Sequence, residues 1–313
     1  MRVIVVGAGV VGLSCAVRLR EAGLDAHVLA RDLPPETTSA VAAAIWYPYR
    51  ALPHDKVLAW STATYTELAR LAAQEPTCGV SIRWGTELLR SAAAAPPWWR
   101  DAVPTVDRLA DPPEGFAGGW RLPVPVADMS VYLPWLVGRL DALGGTLTRS
   151  WLPVLPDRGL VVNCSGLAAR VLAADSSVHP VRGQVVLVEQ FGLTEWLLEQ
   201  SDERELTYVV PRSRDVVVGG TALEHVYDPH PDPETARAII DRAARLVPEI
   251  ARARVRGHRV GLRPARPAVR LDSQRTDAGH VVHCYGHGGA GVTLSWGCAD
   301  DVVREVRAVL AAA

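Results

Sequence analysis

Residues 2–32 read RVIVVGAGVVGLSCAVRLREAGLDAHVLARD, and this stretch decides the fold. Residues 2–6 are β-branched with no polar alternation, as in a parallel strand buried on both faces. Gly7-x-Gly9-x-x-Gly12 follows directly, and residues 13–23 carry helical apolar spacing that stops at Gly23. Residues 25–29 read as a second strand, with Asp32 twenty residues beyond Gly12. Gly7 allows the tight turn, Gly9 lets a pyrophosphate approach the backbone, and Gly12 lets helix pack closely on strand. With the helix N-terminus adding positive potential, Gly7, Ala8, Gly9, Val10, Val11 and Gly12 form a phosphate-binding turn. Strand, helix and acid in one register make this a dinucleotide site. NAD and FAD both stay open here: Asp32 suits ribose hydroxyls, whereas Arg31 beside it suits a 2′-phosphate.

Beyond it, Pro34-Pro35 breaks the chain, and Thr37, Thr38 and Ser39 offer hydroxyls to a phosphate. The small residues Ala42, Ala43 and Ala44 either let a flat ring lie on the backbone or form an Ala-rich helix. Residues 57–74 read as an amphipathic helix. Residues 92–125, rich in Pro and Trp, read as loops and short strands, with Trp98, Trp99 and Trp120 as core or interface aromatics. A helix over 132–143 stops at Gly144-Gly145, a strand follows at 146–151, and buried strand 160–164 runs into Ser165-Gly166. Residues 184–190 and 206–221 read as antiparallel strands, the latter hinged at 211–214. Asp232 caps a helix over 233–246.

Dinucleotide-type segments therefore lie at both ends and in the middle, with antiparallel segments between. The expected class is α/β, a Rossmann-like dinucleotide-binding domain joined to an α+β substrate domain on a mainly antiparallel sheet. The first domain is expected to comprise 1–48, 130–180 and 270–313; the second comprises 49–129 and 181–269.

Near the C-terminus, HVVHCYGHGGAGVTLSWG (280–297) runs from a strand at 281–285 through a glycine-dense turn, 286–291, into a helix. Such a turn at a helix N-terminus binds negative charge, and for a flavin the target is the N1–C2=O edge. His287, between glycines, reads as a structural hydrogen-bonder rather than a base. In GLRPARP (261–267) the prolines hold an arginine in place, which suits a carboxylate clamp. Spacing does not choose between Arg263 and Arg266.

These segments, together with TTSAVAAAIW, VVNCSG, RGQ at 182–184, TYVVPR and GGT at 219–221, resemble the D-amino-acid oxidase family over essentially the whole chain. The resemblance implies non-covalent FAD and hydride transfer from the Cα of an unprotonated D-amino acid. The products are a 2-oxo acid, ammonia and, with molecular oxygen as acceptor, hydrogen peroxide. It further implies that Arg263 and Tyr208 bind the substrate carboxylate and the Gly289 carbonyl takes the amine. The turn at Gly7–Gly12 would take the pyrophosphate, and Arg31 with Asp32 the adenosine side. Thr38 and Ser39 would hold phosphate or ribitol, and Ala43, Ala44 and Ile45 would lie along the isoalloxazine. Ser165 and Trp151 would fall near the adenosine, while Gly288, Gly289, Gly291, Val292 and Thr293 cover the N1–C2=O edge.

The chain departs from the family where a second tyrosine is usual: Arg204 and Ala222 stand there. A more open or differently closed pocket, for neutral and even bulky or branched D-amino acids, is therefore expected. An acidic D-amino acid and an acceptor other than oxygen are the alternatives, and a flavin-binding protein without turnover is a third.

Composition bounds the partners. With 33 basic and 34 acidic residues and a formal charge of −1, the chain lacks the basic field of a nucleic-acid binder. Lys56 is the only lysine, so arginine abundance reads as coding bias. Five scattered cysteines with no C-x-x-C pair suit a reducing compartment and no metal site. The N-terminal apolar run imitates a leader, but its spaced glycines argue against one. No stretch reaches membrane-spanning length, so a cytoplasmic protein is expected, with a homodimer left open.

Overall fold

The structure is a computed structural model that describes residues 2–91, 95–200, 206–277 and 279–312. In chain order the elements begin β1 (Arg2–Val6), α1 (Val10–Glu21), β2 (Asp25–Ala30), α2 (His54–Gln74), β3 (Val80–Leu89) and β4 (Asp107–Arg108). They continue with β5 (Gly118–Ala127), α3 (Met129–Ala142), β6 (Thr146–Arg149), β7 (Gly159–Asn163), α4 (Ala169–Leu172) and β8 (His179–Glu189). Next come β9 (Trp196–Glu199), β10 (Thr207–Pro211), β11 (Asp215–Gly219), β12 (Leu223–Glu224) and α5 (Pro233–Leu246). The chain closes with β13 (Val255–Ala265), β14 (Arg270–Thr276), β15 (Gly279–Tyr285) and α6 (Gly291–Ala311).

Two sheets result. The six-stranded sheet has the order β14-β15-β7-β1-β2-β6 and is parallel except for the β14–β15 hairpin. Its central strand β1 pairs on both sides, Val5 opposite Val28 and Val162, and both its faces pack into apolar clusters, Val3 and Val5 on one and Ile4 and Val6 on the other. That is why residues 2–6 lack alternation. The nine-stranded sheet runs β12-β8-β11-β10-β9-β3-β5-β4, with β13 also on β8. It is antiparallel apart from β3–β9. Here alternation sorts the side chains. Val186, Val188, Val209, Val216 and Val218 face Ala236, Ile239 and Ala243 of α5. Trp120, Leu122, Val124, Val185 and Leu198 point the other way, into the core shared with the six-stranded sheet.

The local differences from expectation have simple causes. α1 starts at Val10, not at residue 13, because Gly9 is its extended N-cap. Residues 38–41 form a 3-10 turn, and Ala42 is extended, so the Ala-rich run is not a helix. It crosses between the sheets: Ile45 bridges Val126, and Trp46 N–H donates to the Pro125 carbonyl at 2.8 Å. β6 ends at Arg149, short of 151. β5 is a full ten-residue strand that begins inside the stretch expected to be loops and short strands and ends two residues beyond it. Trp99 and Trp120 are buried, whereas Trp98 is exposed and stacks on His54. α2, from the second expected domain, packs on α6 of the first. Among the described residues no helix is long and apolar enough to cross a membrane.

Candidate active site

The phosphate-binding turn is held by contacts that exclude side chains. Gly7 has φ +115°, and a Cβ there would lie 2.4 Å from the Cys164 carbonyl oxygen. A Cβ on Gly12 would lie 2.0 Å from the Gly7 carbonyl oxygen, so α1 rests directly on the turn. Gly9 faces Ser39, whose hydroxyl oxygen accepts the Val10 N–H at 3.0 Å and keeps its own proton to donate. The α6 N-terminus is adjacent, since a Cβ on Gly291 would meet Val10 and Val11 at 3.9 Å. Two helix N-termini thus converge on one place, a concentration of positive potential. The hydroxyls of Thr37 and Ser165 are buried there without a protein partner. Buried hydroxyls are ordinarily satisfied, so these two fit a polar ligand of the size and charge of a flavin dinucleotide. Thr38 is different: its hydroxyl donates to the Leu262 carbonyl at 3.3 Å, so Thr37 offers the open hydroxyl.

At the carboxyl end of β2, Arg31 grips both oxygens of Asp32, at 2.9 and 2.6 Å. This pair neutralises the guanidinium that would otherwise suit a 2′-phosphate. Trp151 lies just beyond the neighbouring strand β6, 68% exposed. Ala8, Ala43 and Ala44 are buried, and Ile45 is half-buried between the sheets.

The second part of the site stands on the inner face of the nine-stranded sheet. The Tyr208 ring on β10 covers Gly219 and Gly220, where a Cβ would lie 2.0 and 2.8 Å from its atoms. Arg263 on β13 lies over Gly183 of β8, and its Nη1 donates to the Thr221 carbonyl at 2.8 Å. Burial pushes the Tyr208 phenol up, while the charge and hydrogen bond of Arg263 pull the other way. The phenol therefore stays a proton donor at neutral pH. Gly289 closes the group: a Cβ on it would lie 2.8 Å from the Tyr49 ring and 3.5 Å from Arg263 Cδ. Its loop is pinned by the Gly288 N–H donating to the Pro264 carbonyl at 2.9 Å. Val292 is buried at the start of α6, and the Thr293 hydroxyl donates to the Tyr47 carbonyl while accepting its N–H.

Arg263, Tyr208 and Gly289 thus meet, and Arg266 does not join them. Arg266 donates to Asp175 and to the Ala268 carbonyl, both at 2.9 Å. Burial raises the Asp175 pKa, but hydrogen bonds from Ser177, Arg266 and Tyr285 outweigh it and hold the carboxyl far below the ordinary range. Its stabilisation is therefore complete above the usual carboxylate pKa of about 3.9 and is lost as pH falls below it. Asp175→Asn is expected to flatten the acid side of a melting-temperature profile while leaving the neutral KM unchanged. An unchanged acid limb would contradict this structural role.

Tyr49 carries no motif, and neither it nor Thr221, which closes the GGT stretch, was among the expected site residues. Tyr49, Tyr208 and Ala265 all pack against the small buried cluster of Val181, Leu206 and Ala222. Arg204 lies outside the described residues. His287 is buried, with Nε2 3.9 Å from the Cys284 sulfur.

A parallel dinucleotide sheet joined to an antiparallel one, with two glycine turns facing each other, defines a flavin-type oxidoreductase. Residues 2–305 match the family described as FAD dependent oxidoreductase (DAO), and the chain belongs to that family. Its cofactor is FAD. The chain is 49% identical to a D-amino-acid oxidase of Rubrobacter xylanophilus, covering 99% of this chain and 97% of that one. It is 43% identical to a D-amino-acid oxidase of Streptomyces coelicolor, covering 96% and 95%. Glycine oxidase from Geobacillus kaustophilus superposes with a TM-score of 0.82 at 20% identity, covering 98% and 95%; that likeness concerns the fold alone.

Proposed function

We propose that the protein oxidises neutral D-amino acids, bulky and branched ones included. Substrate, oxygen and water become a 2-oxo acid, ammonia and hydrogen peroxide. The observation that carries this reading is the meeting of Arg263, Tyr208 and the Gly289 loop beside the α6 N-terminus.

Arg263 and Tyr208 hold the carboxylate through a guanidinium fork and a neutral hydroxyl. The Gly289 carbonyl accepts from the amine. Two fixed polar points and the side-chain pocket then select one hand at Cα. FAD, held by Gly7–Gly12, Ser39, Thr37 and Ser165 with Arg31, Asp32 and Trp151 on the adenosine side, supplies the hydride acceptor. The α6 N-terminus and the amides near Gly291–Thr293 stabilise negative charge, and Ala43–Ile45 provide a flat wall. With Tyr208 kept protonated and Arg263 cationic, this group binds and orients rather than removing a proton from Cα. The same reading assigns 1–48, 130–180 and 270–313 to FAD binding and 49–129 and 181–269 to the substrate.

A panel of D-amino acids under air, read as peroxide and ammonia, tests the activity. Peroxide with D-alanine, D-valine or D-leucine is expected, and its absence with every D-amino acid contradicts the proposal. Substrate oxidation without peroxide would assign a different electron acceptor. A finer test uses Gly183→Ala, whose Cβ would lie 2.4–2.5 Å from the Arg263 guanidinium. Displacing the clamp is expected to raise KM at least ~10-fold with bound FAD retained, because a charged hydrogen bond is worth roughly 1.5–3 kcal/mol. An unchanged KM would place the carboxylate elsewhere.

A further inference from the structure

Glu87 is a buried carboxyl, 7% exposed, on the inner face of β3. Its Oε1 accepts the Tyr47 hydroxyl at 2.7 Å and the Gln200 amide at 3.4 Å. Among the described residues no Arg, Lys or His pairs with it. Burial pushes its pKa up, and the two hydrogen bonds bring it part of the way down. Ionising a buried carboxyl without a cation is costly, so a cationic ligand group beside Glu87 would favour its charged form and be held by it.

Position supports that reading. Glu87 pairs with Leu198 on β9, and Leu198 pairs with Tyr208 on β10, so the three share one row and one face. Tyr208 in turn reaches over Gly219 on β11, toward Arg263. The side chain of a substrate whose carboxylate is held there would reach Glu87 by running back across β10 and β9, past Leu198. Tyr47, whose hydroxyl holds Glu87, is anchored by its backbone to Thr293 at the start of α6. Three strand spacings from β11 to β3 amount to ~14 Å. The Glu87 side chain covers ~3–4 Å of that distance, and an extended lysine side chain places its nitrogen ~8 Å from the substrate carboxylate carbon. The remaining ~3 Å is one hydrogen bond.

Building on the proposed D-amino-acid oxidation, we propose that Glu87 sets specificity at the side-chain end of the pocket. It accepts the cationic tip of D-lysine- or D-arginine-like substrates and rejects acidic ones. A D-aspartate side chain would bring a second carboxylate into the same low-dielectric space with no cation between them.

The test compares FAD-loaded wild type with Glu87→Gln, which keeps shape and hydrogen bonding, on D-lysine, D-aspartate and D-leucine. Relative to D-leucine, kcat/KM for D-lysine is expected to fall at least ~10-fold and that for D-aspartate to rise at least ~10-fold. A purely structural role would not move the two ratios in opposite directions. Smaller changes, or changes of the same sign, overturn the assignment. Should Glu87→Gln not retain FAD, the wild type alone decides by comparing D-lysine with its near-isostere D-norleucine. The assignment predicts kcat/KM for D-lysine within ~10-fold of D-norleucine or above it; a stronger preference for D-norleucine overturns it. Absence of turnover with D-leucine as well as D-lysine overturns the oxidase activity, and the assignment with it.

Discussion

Arg263→Lys is expected to raise KM for D-alanine or D-valine by roughly 10–100-fold, with FAD still bound, since one charged hydrogen bond is worth about 1.5–3 kcal/mol. The guanidinium lies over Gly183, its Nη1 fixed on the Thr221 carbonyl and the Tyr208 hydroxyl beside it. An ammonium keeps the charge but loses the bidentate geometry and the Thr221 anchor. It also stops short of Tyr208, whose hydroxyl pairs with Arg263. Steady-state kinetics on the FAD-loaded variant provide the measurement. An unchanged KM would remove Arg263 from the carboxylate site, and Arg266, committed to Asp175, is not a substitute.

Gly12→Ala is expected to have the other large effect, on the cofactor rather than the substrate. The added Cβ would lie 2.0 Å from the Gly7 carbonyl oxygen and 2.9 Å from its carbon, both backbone atoms. Real carbon atoms do not approach that closely, so α1 must lift off the turn and carry its N-terminal amides out of position. FAD affinity is expected to fall at least ~100-fold, which corresponds to losing about two net hydrogen bonds to a charged group. Flavin fluorescence on titration with FAD measures this. Gly138→Ala on α3 is the control, because a Cβ there meets nothing within 4 Å. Equal FAD affinity in the two variants would contradict the close-packing account.

What could be read from the chain depended on whether the cause was local. Gly7, Gly9 and Gly12 announce themselves because turn, close approach and helix start all fall within six residues. The buried strands at 2–6 and 160–163 showed through their lack of alternation. Arg263 and Arg266 were not separable by spacing. Their odd separation in a nearly extended segment sends one to the inner face and the other to Asp175, and that depends on how β13 registers with β8. Tyr49 and Glu87 were invisible for the same reason. Tyr49 reaches the site through a chain crossing between two sheets, and Glu87 through the parallel β3–β9 pairing. Neither contact is encoded near the residue itself. Thr37 was distinguishable from Thr38 only once the Leu262 carbonyl had claimed one of the two hydroxyls.

The most direct measurement of the central claim is anaerobic mixing of the FAD-loaded protein with D-alanine, D-valine or D-leucine, followed through the visible flavin absorbance. The Arg263–Tyr208–Gly289 arrangement predicts rapid bleaching by the D-enantiomers and none by the L-enantiomers. No bleaching across the D-amino-acid panel, or equal bleaching by both hands, would contradict it.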